Sequence, residues 1–373
     1  PMYKSGVWGL RVVDLDSGEV IYDLESEREM LTGSVRKLFS IGLALDKLGI
    51  DHRFTTPVYR RGDVENGVLD GDLILVASGD LAMGGRTKPD GSLAITDYDH
   101  NEANSLGNAE LTKTNPLTGF ESLARQVAAA GIKEVRGDVI VDDRRFVPFN
   151  FRGEFDVRPI FVNDDLVDVI IEPRADGEAA SVDWRPKSAA FAVEAKLAMA
   201  ATGSTPEIEL SPEFPKCFGD EGCRGQVSGK LPFGFTPPLT NRYPLIRTFR
   251  IVEPQNYART IFIEALRGAG VKVTADAVGR NPSDKLPSVD VYAEETQVAE
   301  LKSPPYAEYA KWILKVSYNI GADTSLVLYG LTQGVNSMSA SLEAEKRTLA
   351  GEFGIPADGF QFVGGSGGGE NAA

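Results

Sequence analysis

Ser34 and Lys37 stand three residues apart at the head of an apolar, helix-patterned run that reaches Leu48. One helical turn separates them, so a hydroxyl and an amine share a face and can exchange a proton. A serine hydroxyl is a poor nucleophile at neutral pH. A lysine serves as its base only when burial or nearby positive charge removes the lysine's own proton. The chemistry such a pair offers is acyl transfer through a serine ester. Among the serines of the chain, only Ser34 has a lysine at i+3, and only Ser317, 283 positions further on, has an asparagine at i+2. Ser317 and Asn319 can relay a proton and hold an amide, yet the same residue types also cap and solvate helix ends.

The elements that must position these groups are readable on either side. Residues 9–14 read as a strand, Asp16-Ser17-Gly18 as a turn and residues 20–22 as the returning strand. The helix behind Ser34 carries Leu38, Phe39, Ile41, Leu43, Leu45 and Leu48, and Gly49 supplies its C-terminal stop. Residues 55–59 and 67–76 read as strands, 80–115 as a polar, glycine-rich loop, 120–130 as a short amphipathic helix and 136–142 as a strand. Between about 150 and 250, strand signals at 167–171, 208–210 and 246–249 are broken by prolines and glycines, the mark of a small β-rich insertion. Residues 256–268 read as a helix and 289–292 as a strand, and helices at 306–317 and 323–330 flank the second motif. A glycine-rich stretch, 364–369, follows.

Length and composition narrow the function classes. A chain of 373 residues has room for two or three domains, and 42% apolar with 25% charged residues is ordinary for a globular protein. The formal charge of −15 argues against nucleic acid or an anionic membrane surface as the main partner. No apolar run approaches the length of a membrane span, so no transmembrane segment is expected. Cys217 and Cys223 flank a five-residue polar loop. They read as a hairpin disulfide in an oxidising compartment, or as two reduced thiols in a cytosolic loop. Two cysteines and two distant histidines, His52 and His100, offer no metal-ligand spacing, and no cofactor is expected.

With both motifs in order, the chain resembles the D-alanyl-D-alanine carboxypeptidase/endopeptidase family, the class C low-molecular-mass penicillin-binding proteins. Supporting stretches are Phe54-Thr55-Thr56, residues 64–73, residues 137–142 and Gly365-Ser366-Gly367. The resemblance implies an α/β (α+β) fold: a transpeptidase/β-lactamase-like domain split by a long inserted domain that itself carries a smaller β-rich module. The implied boundaries are 1–52 with 295–373 for the catalytic domain, 53–147 with 250–294 for the insertion and 148–249 for the nested module. It implies Ser34 as nucleophile, Lys37 as base, Ser317 as proton relay and Asn319 as a holder of Lys37 and the substrate amide. Asp142 and Ser366 follow as substrate contacts, although a strand-end acid is more often a turn former and a Gly-Ser-Gly more often a backbone device than chemistry. Peptidoglycan stem peptides as substrate, β-lactams as covalent inhibitors and a periplasmic or extracytoplasmic location are further implications. A non-catalytic cell-wall or β-lactam sensor, and a β-lactamase or esterase on the same fold, are the competing readings.

Some residues depart from the family pattern. Thr32-Gly33 stands where Pro-Ala is usual, and Ser78-Gly79-Asp80-Leu81 where Gly-Gly-Asp-Pro is common. No Lys-Ser-Gly, Lys-Thr-Gly or His-Thr-Gly tripeptide occurs, and the expectation is a sequence cut before that third motif.

Overall fold

The computed structural model describes residues 5–174 and 179–368. Glycine 369 of the glycine-rich stretch therefore lies outside the described residues. The chain opens with an antiparallel hairpin, β1 (Leu10–Val13) and β2 (Val20–Leu24). Asp14 closes its turn, one carboxylate oxygen accepting the N–H groups of Asp16 and Ser17 and the Ser17 hydroxyl. Every residue of both strands is exposed despite their apolar side chains.

A 3-10 turn, Gly33–Arg36, leads straight into α1 (Lys37–Leu48). Ser34 thus sits in a tightened first turn ahead of regular helix. The buried positions of α1 include 37, 40, 41 and 44, a three-or-four spacing that sets Lys37 on the inward face with Ser40, Ile41 and Ala44. Gly49, at φ 92°, stops the helix, and its N–H returns to the Leu45 carbonyl. A side chain there would be strained.

The next strands, β3 (Thr55–Glu65) and β4 (Val68–Val76), form a hairpin about Asn66 (φ 52°) and Gly67 (φ 83°), a turn whose twist suits paired strands. The short helix α2 (Ala103–Leu106), the longer α3 (Thr118–Ala129) and strands β5 (Glu134–Val135) and β6 (Val139–Asp142) follow. A small aromatic hairpin comes next, β7 (Phe149–Phe151) with β8 (Phe155–Val157). The β-rich region contains β9 (Leu166–Glu172), β10 (Ser181–Arg185), β11 (Ala192–Ala200), β12 (Glu207–Ser211), β13 (Arg224–Pro232) and β14 (Leu245–Arg250). The chain ends with α4 (Pro254–Gly268), β15 (Lys272–Val273), β16 (Gln297–Lys302), α5 (Tyr306–Val316), α6 (Asn319–Thr332) and α7 (Met338–Gly351).

The molecule is a mixed α/β protein with several sheets. The largest runs β15-β5-β4-β3-β16, with β6 also paired to β4, and mixes parallel with antiparallel neighbours. Two three-stranded sheets make up the β-rich region, β10-β9-β14 and β11-β13-β12. Cys217 and Cys223 are disulfide-bonded there, closing a loop whose Phe218 stacks on Phe191 and meets Tyr257 edge-on.

Among the described residues two large hydrophobic cores form, besides a small cluster of Ala103, Ala109 and Ile246. One joins the large sheet, α3, α4 and the β-rich sheets through residues such as Leu73, Phe120, Val169, Phe249 and Phe262. The other is helical, built from α1, α5, α6 and α7 around Ile41, Tyr309, Trp312, Leu326 and Leu349. Phe149, Phe151, Phe155 and Phe161 pack into this helical core, although the sequence placed them in the β-rich module.

One local expectation is corrected. Residues 289–292 read as a strand but form a 3-10 turn, Val289–Val291. Val289 and Val291 are 63% and 54% exposed, and an alternating apolar pattern makes a strand only where a neighbour and a core cover one face.

Candidate active site

Ser34, Lys37, Ser317 and Asn319 meet although the two serines stand 283 positions apart. The Ser317 hydroxyl donates to Ser34 Oγ at 2.7 Å, and Lys37 Nζ stands 3.0 Å from that same oxygen. Lys37 Nζ also donates to Asn319 Oδ1 at 2.7 Å and to the Ser366 carbonyl at 2.8 Å. Ser34 itself is exposed, whereas Lys37 is 1% exposed. The nucleophile faces solvent and its partner amine does not.

Local geometry explains the convergence. Ser317 ends α5 in the left-handed conformation, φ 60° and ψ 38°. A non-glycine residue there costs on the order of 1–3 kcal/mol, and such strain is held where the surroundings require it. The kink lets α6 begin two residues later, so Asn319 projects from its first turn. Tyr318, buried against Trp312, pins the corner, and its N–H closes on the Ile313 carbonyl.

Electrostatics favour an amine that can lose its proton. Burial pulls Lys37 down to about 8, against the opposing pull of Asp323. Arg152 lowers it further and Glu102 raises it. Asp323 is itself pushed up to about 6 by burial.

The sequence reading missed Glu102. Its carboxylate accepts from Asn319 Nδ2 at 2.9 Å, so the central region of the chain reaches into the site. No spacing in the sequence announces this, because the partner is chosen by how a loop folds back. That loop is braced by a buried charge cluster at the start of the turn His100–Glu102. Arg86 bridges Asp99 and Asp164, and its guanidinium lies 4.2 Å from the Trp312 ring centre. His100 lies between Asp164 and Asp168, 2.6 Å from each. Burial opposes its charge, but the two carboxylates outweigh burial and raise His100 to about 9. Asp99, His100 and Asp164 come close enough to hold a metal ion, but the Arg86 guanidinium already fills that place.

The two remaining residues named from the sequence stand differently. Asp142 ends β6 with its carboxylate taken by Arg144, at 2.7 and 2.8 Å, and by the Tyr292 hydroxyl at 2.6 Å. None of these contacts involves the Ser34 group. Ser366 joins through its main chain, since its carbonyl receives Lys37 while its hydroxyl turns to Asp323. Beside the group lies a cleft of about 390 Å³ whose walls include Glu102, Arg152, Phe155, Glu213 and Arg250.

An exposed serine beside a buried lysine whose pKa burial has lowered, met across a mixed α/β chain by a second serine and an asparagine, is an arrangement suited to acyl transfer. Comparison with known proteins gives the family. Residues 1–370 match the D-Ala-D-Ala carboxypeptidase 3 (S13) family, and the chain belongs to it. A D-alanyl-D-alanine carboxypeptidase of Actinomadura sp. (strain R39) is 27% identical over 392 aligned positions. That alignment covers 98% of this chain but 62% of the relative's length. In fold, the chain is similar to penicillin-binding protein 4 from Haemophilus influenzae, with a TM-score of 0.69 at 18% identity, covering 98% of this chain and 72% of that one. The same protein complexed with a β-lactam gives 0.65 at 20% identity, with 97% and 70% covered.

Proposed function

We propose that this protein is a serine-type D-Ala-D-Ala carboxypeptidase/endopeptidase acting on peptidoglycan peptides, and that β-lactams acylate the same serine. The observation that carries the reading is the Ser34–Lys37–Ser317–Asn319 contact, formed around a lysine that burial has made easier to deprotonate.

The chemistry follows from the distances. Neutral Lys37 takes the Ser34 proton as Oγ attacks the carbonyl of the penultimate D-alanine. The tetrahedral intermediate collapses, the C–N bond breaks and the leaving amine needs a proton. Ser317, 2.7 Å from Ser34 Oγ, hands one over and recovers it from Lys37. Water then attacks the ester, the proton path runs in reverse, and Ser34 is restored with a shortened peptide released. Asn319 holds Lys37 with its oxygen. Penicillin enters the same path, with its lactam C–N bond as the one that breaks.

Membership in a cell-wall-acting family and the Cys217–Cys223 disulfide support an extracytoplasmic location, periplasmic in a double-membraned cell. Among the described residues no helix is long and apolar enough to cross a membrane.

The test is release of D-alanine from a pentapeptide ending in D-Ala-D-Ala by the intact protein and by Ser34→Ala. Turnover by the wild type alone supports the reading. Cephalosporin hydrolysis with no D-alanine release would move the assignment to a β-lactamase.

A further inference from the structure

A buried carboxylate that the acyl-transfer scheme does not use holds the glycine-rich segment against the site. Asp323 lies on α6 one turn beyond Asn319 and is 7% exposed. One of its oxygens accepts the Gly365 N–H at 2.7 Å, and the other accepts the Ser366 hydroxyl at 3.3 Å. From the opposite side, Arg36 Nε donates to the Gly364 carbonyl at 2.8 Å and the Ser40 hydroxyl to the Gly365 carbonyl at 2.7 Å. The segment is wedged between α1 and α6 with no room to shift. A Cβ on Gly365 would lie 2.4 Å from the Ala322 carbonyl oxygen, and one on Gly367 would lie 1.7 Å from that of Gly33. What this wedge delivers is the Ser366 carbonyl, 2.8 Å from Lys37 Nζ.

We propose that Asp323 is a positioning residue for Lys37: it fixes the 364–366 turn so that the Ser366 carbonyl takes one N–H of the amine, and its charge tunes how readily that amine loses a proton. The inference rests on the acyl-enzyme reading above and adds the device that orients its base.

A neutral amine has two N–H bonds and one lone pair. With its N–H bonds spent on Asn319 Oδ1 and the Ser366 carbonyl, its lone pair is left for the Ser34 hydroxyl. Without the Ser366 acceptor the amine turns an N–H toward Ser34 and ceases to be a base for it. The charges facing Lys37 are Asp323 from α6 and Glu102 from the turn before α2, which favour the ammonium, and Arg152 from the β7–β8 turn, which favours the amine. Those facing Asp323 are Lys37 on α1 and Arg36 just before it.

The test is the pH profile of acylation by a fluorescent penicillin, measured on the intact wild type, Asp323→Asn and Asp323→Ala. Asn keeps an oxygen for the Gly365 N–H and removes the charge. The acid limb of its profile moves to lower pH by about one unit, a ten-fold gain on that limb relative to its own plateau. Ala removes the acceptor as well, and its plateau falls by about ten-fold or more, a low-end figure for a misplaced base. A residue that only stabilised the fold would lower the melting temperature and leave the midpoint of the limb in place. Limbs that coincide and plateaus within two-fold overturn the proposal, and if the alanine variant does not fold, the asparagine variant decides alone. A wild type that no penicillin labels removes the acyl-enzyme reading and this inference with it. A labelled wild type with unmoved variants removes the inference only.

Discussion

At the residue scale the decisive quantity is the charge on one amine. Lys37 must be neutral to act, and burial holds it at about 8, so roughly a tenth of the molecules are competent at pH 7. The acylation rate therefore climbs as pH rises through about 8 and levels above it, and stopped-flow labelling across pH 6–10 reads this directly. A midpoint near the free-lysine value would contradict the assignment. Lys37→Arg keeps a cation that cannot deprotonate, and acylation falls by about a hundred-fold or more. The four central residues were legible because their types and spacings are rare in this chain. Asp142, expected as a substrate contact, has its carboxylate held by Arg144, two residues on. Glu102 and the buried charge cluster behind it carry no sequence signal, since each partner is brought in by a loop from another part of the chain.

At the element scale the site depends on two breaks in helix. Gly33–Arg36 winds as a 3-10 turn before α1, and Ser317 interrupts α5 and α6 in left-handed geometry. Ser317→Gly removes the hydroxyl and the backbone strain together. Its melting temperature stays level or rises, by the equivalent of up to about 1 kcal/mol, while acylation drops. Loss of stability in step with activity would show that the residue is mainly structural. The turn before α1 is also anchored by a fully buried ion pair, Arg36 with Glu345 of α7 at 2.5 Å. Glu345→Ala leaves the guanidinium buried and unpaired, a change worth about 3–5 kcal/mol in denaturant unfolding. The helices were readable from their apolar period. The strand expected at 289–292 failed because alternation records only a half-buried habit, and here no sheet comes to use it.

At the scale of the whole molecule, a single titratable cluster ties distant parts together. Arg86, Asp99 and His100 come from one loop, Asp164 and Asp168 from the start of β9 and its approach, and Arg185 from the end of β10. His100 keeps its proton to about pH 9 in the folded protein, against about 6.5 unfolded. Its contribution to stability is complete below about 6.5 and is lost as pH rises through about 9. Lys37 shifts the opposite way, so the comparison is made between proteins. The stability gap between wild type and His100→Gln narrows from pH 6 to pH 9.5 in melting experiments, and a gap independent of pH would refute the linkage. Composition and length indicated a globular chain with room for more than one domain. They could not show that the aromatic segment 149–161 would cross to the helical core, because aromatic strands suit either core equally.

The central claim is that one serine becomes acylated beside one uncharged lysine, and the most direct measurement is peptide mapping by mass spectrometry after trapping the intact protein with penicillin. The account predicts a single penicilloyl adduct on the peptide that contains Ser34, absent from Ser34→Ala and formed far more slowly in Lys37→Arg. An adduct on any other residue, or labelling that persists in Ser34→Ala, would contradict it.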